Sequence, residues 1–221
     1  MSAEEPVVAA EPGRKRQQRS ILTQRKLLDA AVQAFSESGF KGTSTRDIAD
    51  RAGVHHPLIT YHFKNKDQLW RAAADKLFTD FRRSLAASLE DHMNEAPKQR
   101  MASLVKAYVR YAKSQPALHK VMVQEASYPN ARLDWLVEAH LKPLFDTIVT
   151  MLEHLQAIGV APQGNPRLLF NMIRLSSGGL LALGNELSAS SDIDINSEET
   201  LDEIAEMIVT VFLPGATPAP E

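Results

Sequence analysis

Apolar residues recur along this 221-residue chain at helical spacing, and nowhere do they alternate with polar ones over the length of a strand. In "ILTQRKLLDAAVQAFSESGF", Leu27, Leu28, Ala31, Val32, Ala34 and Phe35 mark one face of a helix that Gly39 stops, with Phe40 to pack behind it. "TSTRDIADRAG" predicts a second, shorter helix. Ser44 is its N-cap, Asp47 takes the acidic position three residues on, Ile48, Ala49 and Ala52 form its apolar side, and Gly53 ends it. After a short turn a third helix is expected over about 56–62, with Pro57 in its first turn, where a missing N–H costs nothing. Asn65 caps a fourth helix, with Gln68 as capping-box partner, running from Lys66 to about Met93; that length suits a strut joining two regions.

Beyond Pro97 the pattern stays helical. "QRMASLVKAYVRYAKS" stops at Pro116 and "ALHKVMVQEAS" near Pro129, while "ARLDWLVEAHLKPLFDTIVTMLEHLQAIG" reads as one long amphipathic helix kinked at Pro143. "RLLFNMIRLSSGGLLALGNEL" is apolar on more than one face, and "LDEIAEMIVTVFL" closes the helical pattern. The expected fold is all-α. Residues 1–20 form a flexible basic arm, 21–66 a three-helix helix-turn-helix unit, 67–214 a helical ligand-binding and dimerisation body, and 215–221 a disordered tail.

Composition narrows the function classes. Apolar residues make up 44 %, enough for a proper core, and there is no cysteine, which excludes disulfides, cysteine-based zinc sites and a thiol nucleophile. The first dozen residues lack a basic n-region, and no run approaches the ~18 apolar residues a membrane helix needs, so a soluble, cytoplasmic protein is expected. Net charge is −2, but its distribution is lopsided. Residues 13–66 hold eleven basic against four acidic side chains, whereas 67–221 hold fourteen against twenty. A basic N-terminal quarter on an acidic body is the asymmetry of a chain with one module that meets a polyanion.

The stretch "GVHHPLITYHFKNKDQL" decides between two chemistries. His55, His56 and His62 could ligate a metal, but adjacent histidines on a helix point about 100° apart and ligand pairs favour i, i+4, so no metal or other cofactor is expected. A helix-turn-helix instead needs a small residue where its helices cross, a glycine in the turn and a branched apolar anchor in the second helix. Ala49, Gly53 and Ile59 meet these needs, and Val54 packs in the turn.

"TSTRDIADRAGVHHPLITYHFKNKDQL" resembles the N-terminal signature of the tetracycline-repressor (TetR) family of bacterial regulators, over about residues 21–70. The resemblance implies a transcriptional regulator, usually a ligand-responsive repressor, that binds a pseudo-palindromic DNA operator as a homodimer. It implies His55, His56, Pro57 and Leu58 near base edges, with Thr60, Tyr61 and His62 at the groove wall. Lys66 would meet a phosphate beside the fourth helix, and Ser44, Thr45 and Arg46 another. Where the family often has a backbone-touching tyrosine this chain has Thr60, and Tyr61 stands next to it to share that role. Arg14, Lys15, Arg16 and Arg19 would reach a minor groove or simply add salt-dependent affinity. An activator, a ligand-independent regulator and a metal-binding helical protein are the alternatives.

In the body, polar residues on apolar helices mark an effector pocket: Tyr108, Tyr111, Trp135, His140, Asn171 and Arg174. Arg174 either pairs internally, with Glu125 as the candidate, or emerges at an interface. Gly178, Gly179 and Gly184 each cost about 1 kcal/mol inside a helix. Close approach of another helix compensates, either within one chain or in a four-helix dimer interface with Leu180, Ile204 and Ile208, where the resembled family dimerises. No nucleophile elbow, phosphate loop or dinucleotide fingerprint is present, so an enzyme is not expected.

Overall fold

Pro12 opens the first helix of the computed structural model, which describes residues 12–215; every regular element among them is helical. The chain divides into two compact units, one ending at Ala73 and the other beginning at Ala74. No helix among the described residues is long and apolar enough to cross a membrane.

The first unit holds α1 (Pro12–Gly42), α2 (Thr45–Ala52), α3 (Pro57–Phe63) and the start of α4 (Lys66–Asp91). Residues 12–20, expected in a flexible arm, are the first turns of α1, carrying exposed Arg14, Arg16 and Arg19. Nothing in "GRKRQQRS" breaks a helix beyond Gly13, and Arg, Lys and Gln are all good helix formers. Residues 1–11, and Lys15 as a side chain, lie outside the described part.

Gly39 takes φ 67° and ψ 176°, so the regular helix breaks there as the pattern predicts. Phe40, just past the break, stacks on Phe35 at 6.0 Å and meets the edge of Trp70 at 6.5 Å. Thr43 closes the corner by donating to the carbonyls of Ala34 (3.0 Å) and Gly39 (2.7 Å). Leu27, Ala31, Phe35, Ile48, Ala49, Ile59, Leu69 and Trp70 are all buried. At roughly 1.5–3 kcal/mol for each large apolar side chain, this cluster is what holds four short elements together.

The second unit runs through α5 (Pro97–Ser114), α6 (Pro116–Ala126), α7 (Ala131–Leu136), a π-helical turn at Val137–Leu141, α8 (Lys142–Ala157), α9 (Pro166–Arg174), a second π-helical turn at Leu175–Gly179, α10 (Leu180–Ala182), α11 (Gly184–Ser191) and α12 (Glu198–Phe212). The long helix expected around Pro143 is therefore interrupted. Pro143 lies in the first turn of α8, and the wider π-turn just before it absorbs the missing N–H. The helix expected over "RLLFNMIRLSSGGLLALGNEL" is broken too, by the π-turn and at Leu183 (φ −94°, ψ 17°). Gly215, expected as the first residue of the tail, donates to Val160 at 3.1 Å.

The glycines expected at a dimer interface find their neighbours inside the chain. A Cβ on Gly178 would lie 1.8 Å from Nε2 of His119, and one on Gly184 would lie 2.2 Å from Cδ1 of Ile195. Gly179 is different: its nearest neighbour would be Leu175 of the same turn, at 3.4 Å. Leu180 and Ile204 are half-buried and Ile208 is buried within the chain. Close approach is the reason for Gly178 and Gly184, but the approaching groups are His119 and Ile195 of the same subunit.

Candidate functional site

Two features carry chemistry, one in each unit. In the first, Ser44 is an extended N-cap (φ −107°, ψ 151°) whose Oγ accepts from the Asp47 amide at 3.0 Å, which leaves its own O–H free to donate outward. Gly53 ends α2 in the left-handed region (φ 64°, ψ 38°) with open space around its Cα, so backbone conformation alone demands glycine there. The turn tightens as Val54 N donates to Ala49 O at 3.0 Å, and Ile59 seats α3 in the core while Ala49 gives it room.

That seating sorts the residues of α3 by face. Ile59 and Phe63 are buried; His55, His56, Pro57 and Thr60 are exposed; Leu58 and His62 are half-buried. Tyr61 is 73 % exposed, and its ring meets the edge of His62 at 4.9 Å. Nε2 of His56 lies 2.9 Å from Oγ1 of Thr45, the first residue of α2, and Arg46 beside it is exposed. From Ala52 to Lys66 the chain has no acidic residue. The outward polar atoms of α3 are hydroxyls and imidazoles, groups that can donate to phosphate oxygens and base edges.

At the end of α3 the backbone turns sharply. Lys64 adopts φ 63° and ψ −52°, and Asn65 N donates to Phe63 O at 2.7 Å, a three-residue turn strained for a side-chain-bearing residue. Asn65 Oδ1 then caps α4 by accepting from Gln68 N at 2.8 Å. The Lys66 ammonium sits 4.5 Å from the centre of the Phe40 ring in the first turn of α4. Asp67 next to it bonds Arg71 at 2.9 Å, which offsets its negative charge at this edge. The helix caps are visible in the sequence; the Lys64 turn gives no signal there. Among the described residues no three His, Asp or Glu side chains gather as metal ligands.

In the second unit a narrow cavity lies among α4, α5, α8 and α9, lined by Phe81, Leu85, Met101, Leu104, Val105, Tyr108, Leu144, Ile148, Phe170, Ile173 and Arg174. Of the expected pocket residues, Tyr108 and Arg174 line it. Asn171 touches it through Arg174, whose Nη2 donates to Asn171 Oδ1 at 3.0 Å. Tyr111, Trp135 and His140 are not among the lining residues. Tyr111 is buried and donates to Leu77 O at 3.3 Å, and its hydroxyl is pushed up to about 12 by burial. His140 is buried in parallel contact with Phe78, ring centres 4.6 Å apart, and meets the edge of Trp135. Arg82 donates to its Nδ1 at 3.0 Å, and its Nε2 lies 2.9 Å from Asp75 Oδ1 without making a hydrogen bond.

Glu125 is not the partner of Arg174. It is taken by Arg132, which donates to both carboxylate oxygens at 3.1 Å. Arg174 has no carboxylate within ion-pair distance among the described residues; its Nε is buried without a hydrogen-bond partner, and its guanidinium carbon lies 5.9 Å from the Phe145 ring centre. The hydroxyl of Tyr108 is 2.7 Å from Nε2 of His119. Burial, with the nearby Arg174 charge, lowers His119 to about 4, and burial pushes the Tyr108 hydroxyl well above its ordinary value. His119 is therefore neutral and Tyr108 un-ionised at pH 7. The apolar lining residues carry no mark that separates them from ordinary core in the sequence.

The family model described as "Bacterial regulatory proteins, tetR family" matches residues 27–73, which hold the helix-turn-helix. The chain is 24 % identical over 132 residues to YttP of Bacillus subtilis, a probable HTH-type transcriptional regulator, and the match covers 58 % of this chain and 64 % of that protein. It is 38 % identical over 68 residues to the HTH-type transcriptional repressor KstR2 of Rhodococcus jostii, covering 29 % of this chain and 33 % of that one. The chain thus spans less than two thirds of the length of either relative. Two solved structures share the fold across both units. AibR, in complex with isovaleryl coenzyme A and operator DNA, gives a TM-score of 0.66 at 17 % identity and covers 87 % of this chain and 99 % of its own. FadR of Bacillus subtilis, in complex with stearoyl-CoA, gives 0.66 at 20 % identity over the same shares. Residues 27–73 thus form a helix-turn-helix of the tetR family of bacterial regulatory proteins, ahead of a helical body that shares its fold with AibR and FadR.

Proposed function

We propose that the chain is a ligand-responsive repressor that binds a pseudo-palindromic operator as a homodimer. The observation that carries the reading is the division of α3: Ile59 and Phe63 fix it in the core while His55, His56, Pro57, Thr60 and Tyr61 face outward in an acid-free stretch. Such a helix enters a major groove by its N-terminal half, so His55, His56, Pro57 and Leu58 read base edges while Thr60, Tyr61 and His62 meet the wall. Ser44, Thr45, Arg46 and Lys66 donate to phosphates on either side, and Arg14, Arg16 and Arg19 on the exposed start of α1 add charge. Repression follows KstR2 and an operator follows AibR, each as its name states. The protein then works in the bacterial cytoplasm, on the nucleoid.

Dimerisation is supported by an apolar stripe. Leu168, Met172 and Leu175, at i, i+4 and i+7, are more than half exposed along α9 and the following turn, and Met207 and Val211 are so along α12, which packs beside α9. A patch of this kind on two neighbouring helices suits a four-helix interface with a second copy. The effector is a small molecule in the α4–α9 cavity. The wall includes Phe81 and Leu85 of α4, the helix whose Leu69 and Trp70 belong to the core of the first unit. A ligand with unequal affinity for two positions of α4 would release the operator. Hydroxyl-radical footprinting on the gene's own upstream region tests the reading. Two protected half-sites with centres about one helical turn, 10–10.5 base pairs, apart or a multiple of it are expected; a single protected patch, or none, contradicts it.

A further inference from the structure

We propose that the effector is a carboxylate on an unbranched hydrocarbon tail, its head held by Arg174 and Tyr108 and its tail lying along α5 towards Met101. This deepens the effector reading above and rests on it.

Three observations point to that chemistry. First, the cavity is lined by apolar side chains with one cation and no acid. A water-filled or polar ligand gains nothing from such walls, whereas a hydrocarbon gains about 25 cal/mol for each Å² taken out of water.

Second, the polar groups at the wall are donors in want of an acceptor. Arg174 has no carboxylate partner, and its buried Nε–H has no hydrogen-bond partner at all. A buried donor left unpaired costs about 1–3 kcal/mol, so the half-buried Arg174 is completed by a group that brings acceptor oxygens and negative charge. Asn171 supplies only an amide oxygen to Nη2. At Tyr108, His119 is neutral and can donate from Nε2 to the phenol oxygen, which frees the phenol O–H for a ligand oxygen. Planar guanidinium with an adjacent phenol matches a carboxylate, which accepts through both oxygens.

Third, the apolar wall is elongated. Met101, Leu104, Val105 and Tyr108 form one stripe of α5, and Tyr108 stands seven residues, roughly 10 Å along the axis, from Met101. On α4, Phe81 packs beside Tyr108 with ring centres 5.3 Å apart, and Leu85 lies one turn further on. The donors thus stand at one end of the stripe, and the rest of it is apolar along its length.

Isothermal titration calorimetry on the full chain without DNA, with decanoate, decanol and decanoyl-CoA, tests this. Decanoate is expected to bind saturably and at least ten-fold more tightly than decanol. Arg174→Met is expected to bring decanoate down to the decanol value and leave decanol unchanged. Equal affinity for acid and alcohol, no binding of the acid, or binding of the coenzyme A thioester alone overturns the proposal; the first two need no variant to fold. Decanoate that binds tightly but fails to release the operator upholds the ligand and contradicts the effector reading instead.

Discussion

Nε2 of His56 and Oγ1 of Thr45 stand 2.9 Å apart, so the residue that opens α3 is tied to the first residue of the helix before it. This bond fixes the orientation of an imidazole that has no side-chain cap to make, and leaves Nδ1 as the group offered outward. Thr45→Val removes it. Loss of a net hydrogen bond of about 1 kcal/mol predicts operator affinity lower by about five-fold, with Thr45→Ser near wild type. The salt slope of binding should not change, because no charge is lost. Fluorescence anisotropy across a salt series measures both; a changed slope would mean that Thr45 acts by ordering a phosphate contact made by a cation.

Gly178 and Gly179 are adjacent and predict opposite outcomes. Alanine at 178 must displace the buried His119 ring, whose Nε2 would sit 1.8 Å from the new Cβ. Overpacking of this kind costs about 1–3 kcal/mol. Alanine at 179 meets only Leu175 at 3.4 Å and should be neutral or stabilising by up to about 1 kcal/mol through helix propensity. Urea melts of the two variants decide it, and equal destabilisation by both would show that backbone geometry at the π-turn, rather than His119, requires glycine.

His119 makes stability pH-dependent. Burial lowers it from 6.5 to about 4, so between these values the unfolded chain binds the proton and the folded chain does not. Stability therefore rises with pH through this window and is lost as pH falls from about 6.5 towards 4. Lowering pH from 7 to 5 should cost ~2 kcal/mol through this group. His140, also lowered, acts in the same direction. His119→Gln keeps an amide for Tyr108 and should remove most of the His119 share; urea melts at the two pH values check it, and an unchanged pH dependence in the variant assigns the effect elsewhere.

The helix-turn-helix was readable because its determinants are local. Ser44, Gly53, Asn65 and the spacing of Ala49 to Ile59 each declare a cap, a turn or a crossing within a few residues of the feature they make. The cavity was half readable. Arg174 and Tyr108 stand out as polar residues in apolar helices, but their company comes from α4, α8 and α9, far away in sequence and identical in composition to core. His140 stood out for the same reason and proved to bond Arg82 through Nδ1, outside the cavity lining. The π-turns at Val137–Leu141 and Leu175–Gly179 leave no sequence periodicity of their own, so one helix kinked at Pro143 and one continuous helix are what the pattern predicts. Gly178 announced a close approach without naming His119 as the approaching group.

The central claim is that the outward face of α3 binds DNA, and Tyr61 tests it most directly because it is 73 % exposed, with its ring against the edge of His62. Substituting an exposed residue away from caps and core should change stability by no more than about 0.5 kcal/mol. A mobility-shift assay with the gene's upstream DNA, at two salt concentrations, compares wild type with Tyr61→Ala while sedimentation follows oligomeric state. The account predicts a salt-sensitive shift that the variant loses, with melting and assembly unchanged. A variant that shifts the same fragment with wild-type affinity, or a wild-type protein that shifts none, would contradict it.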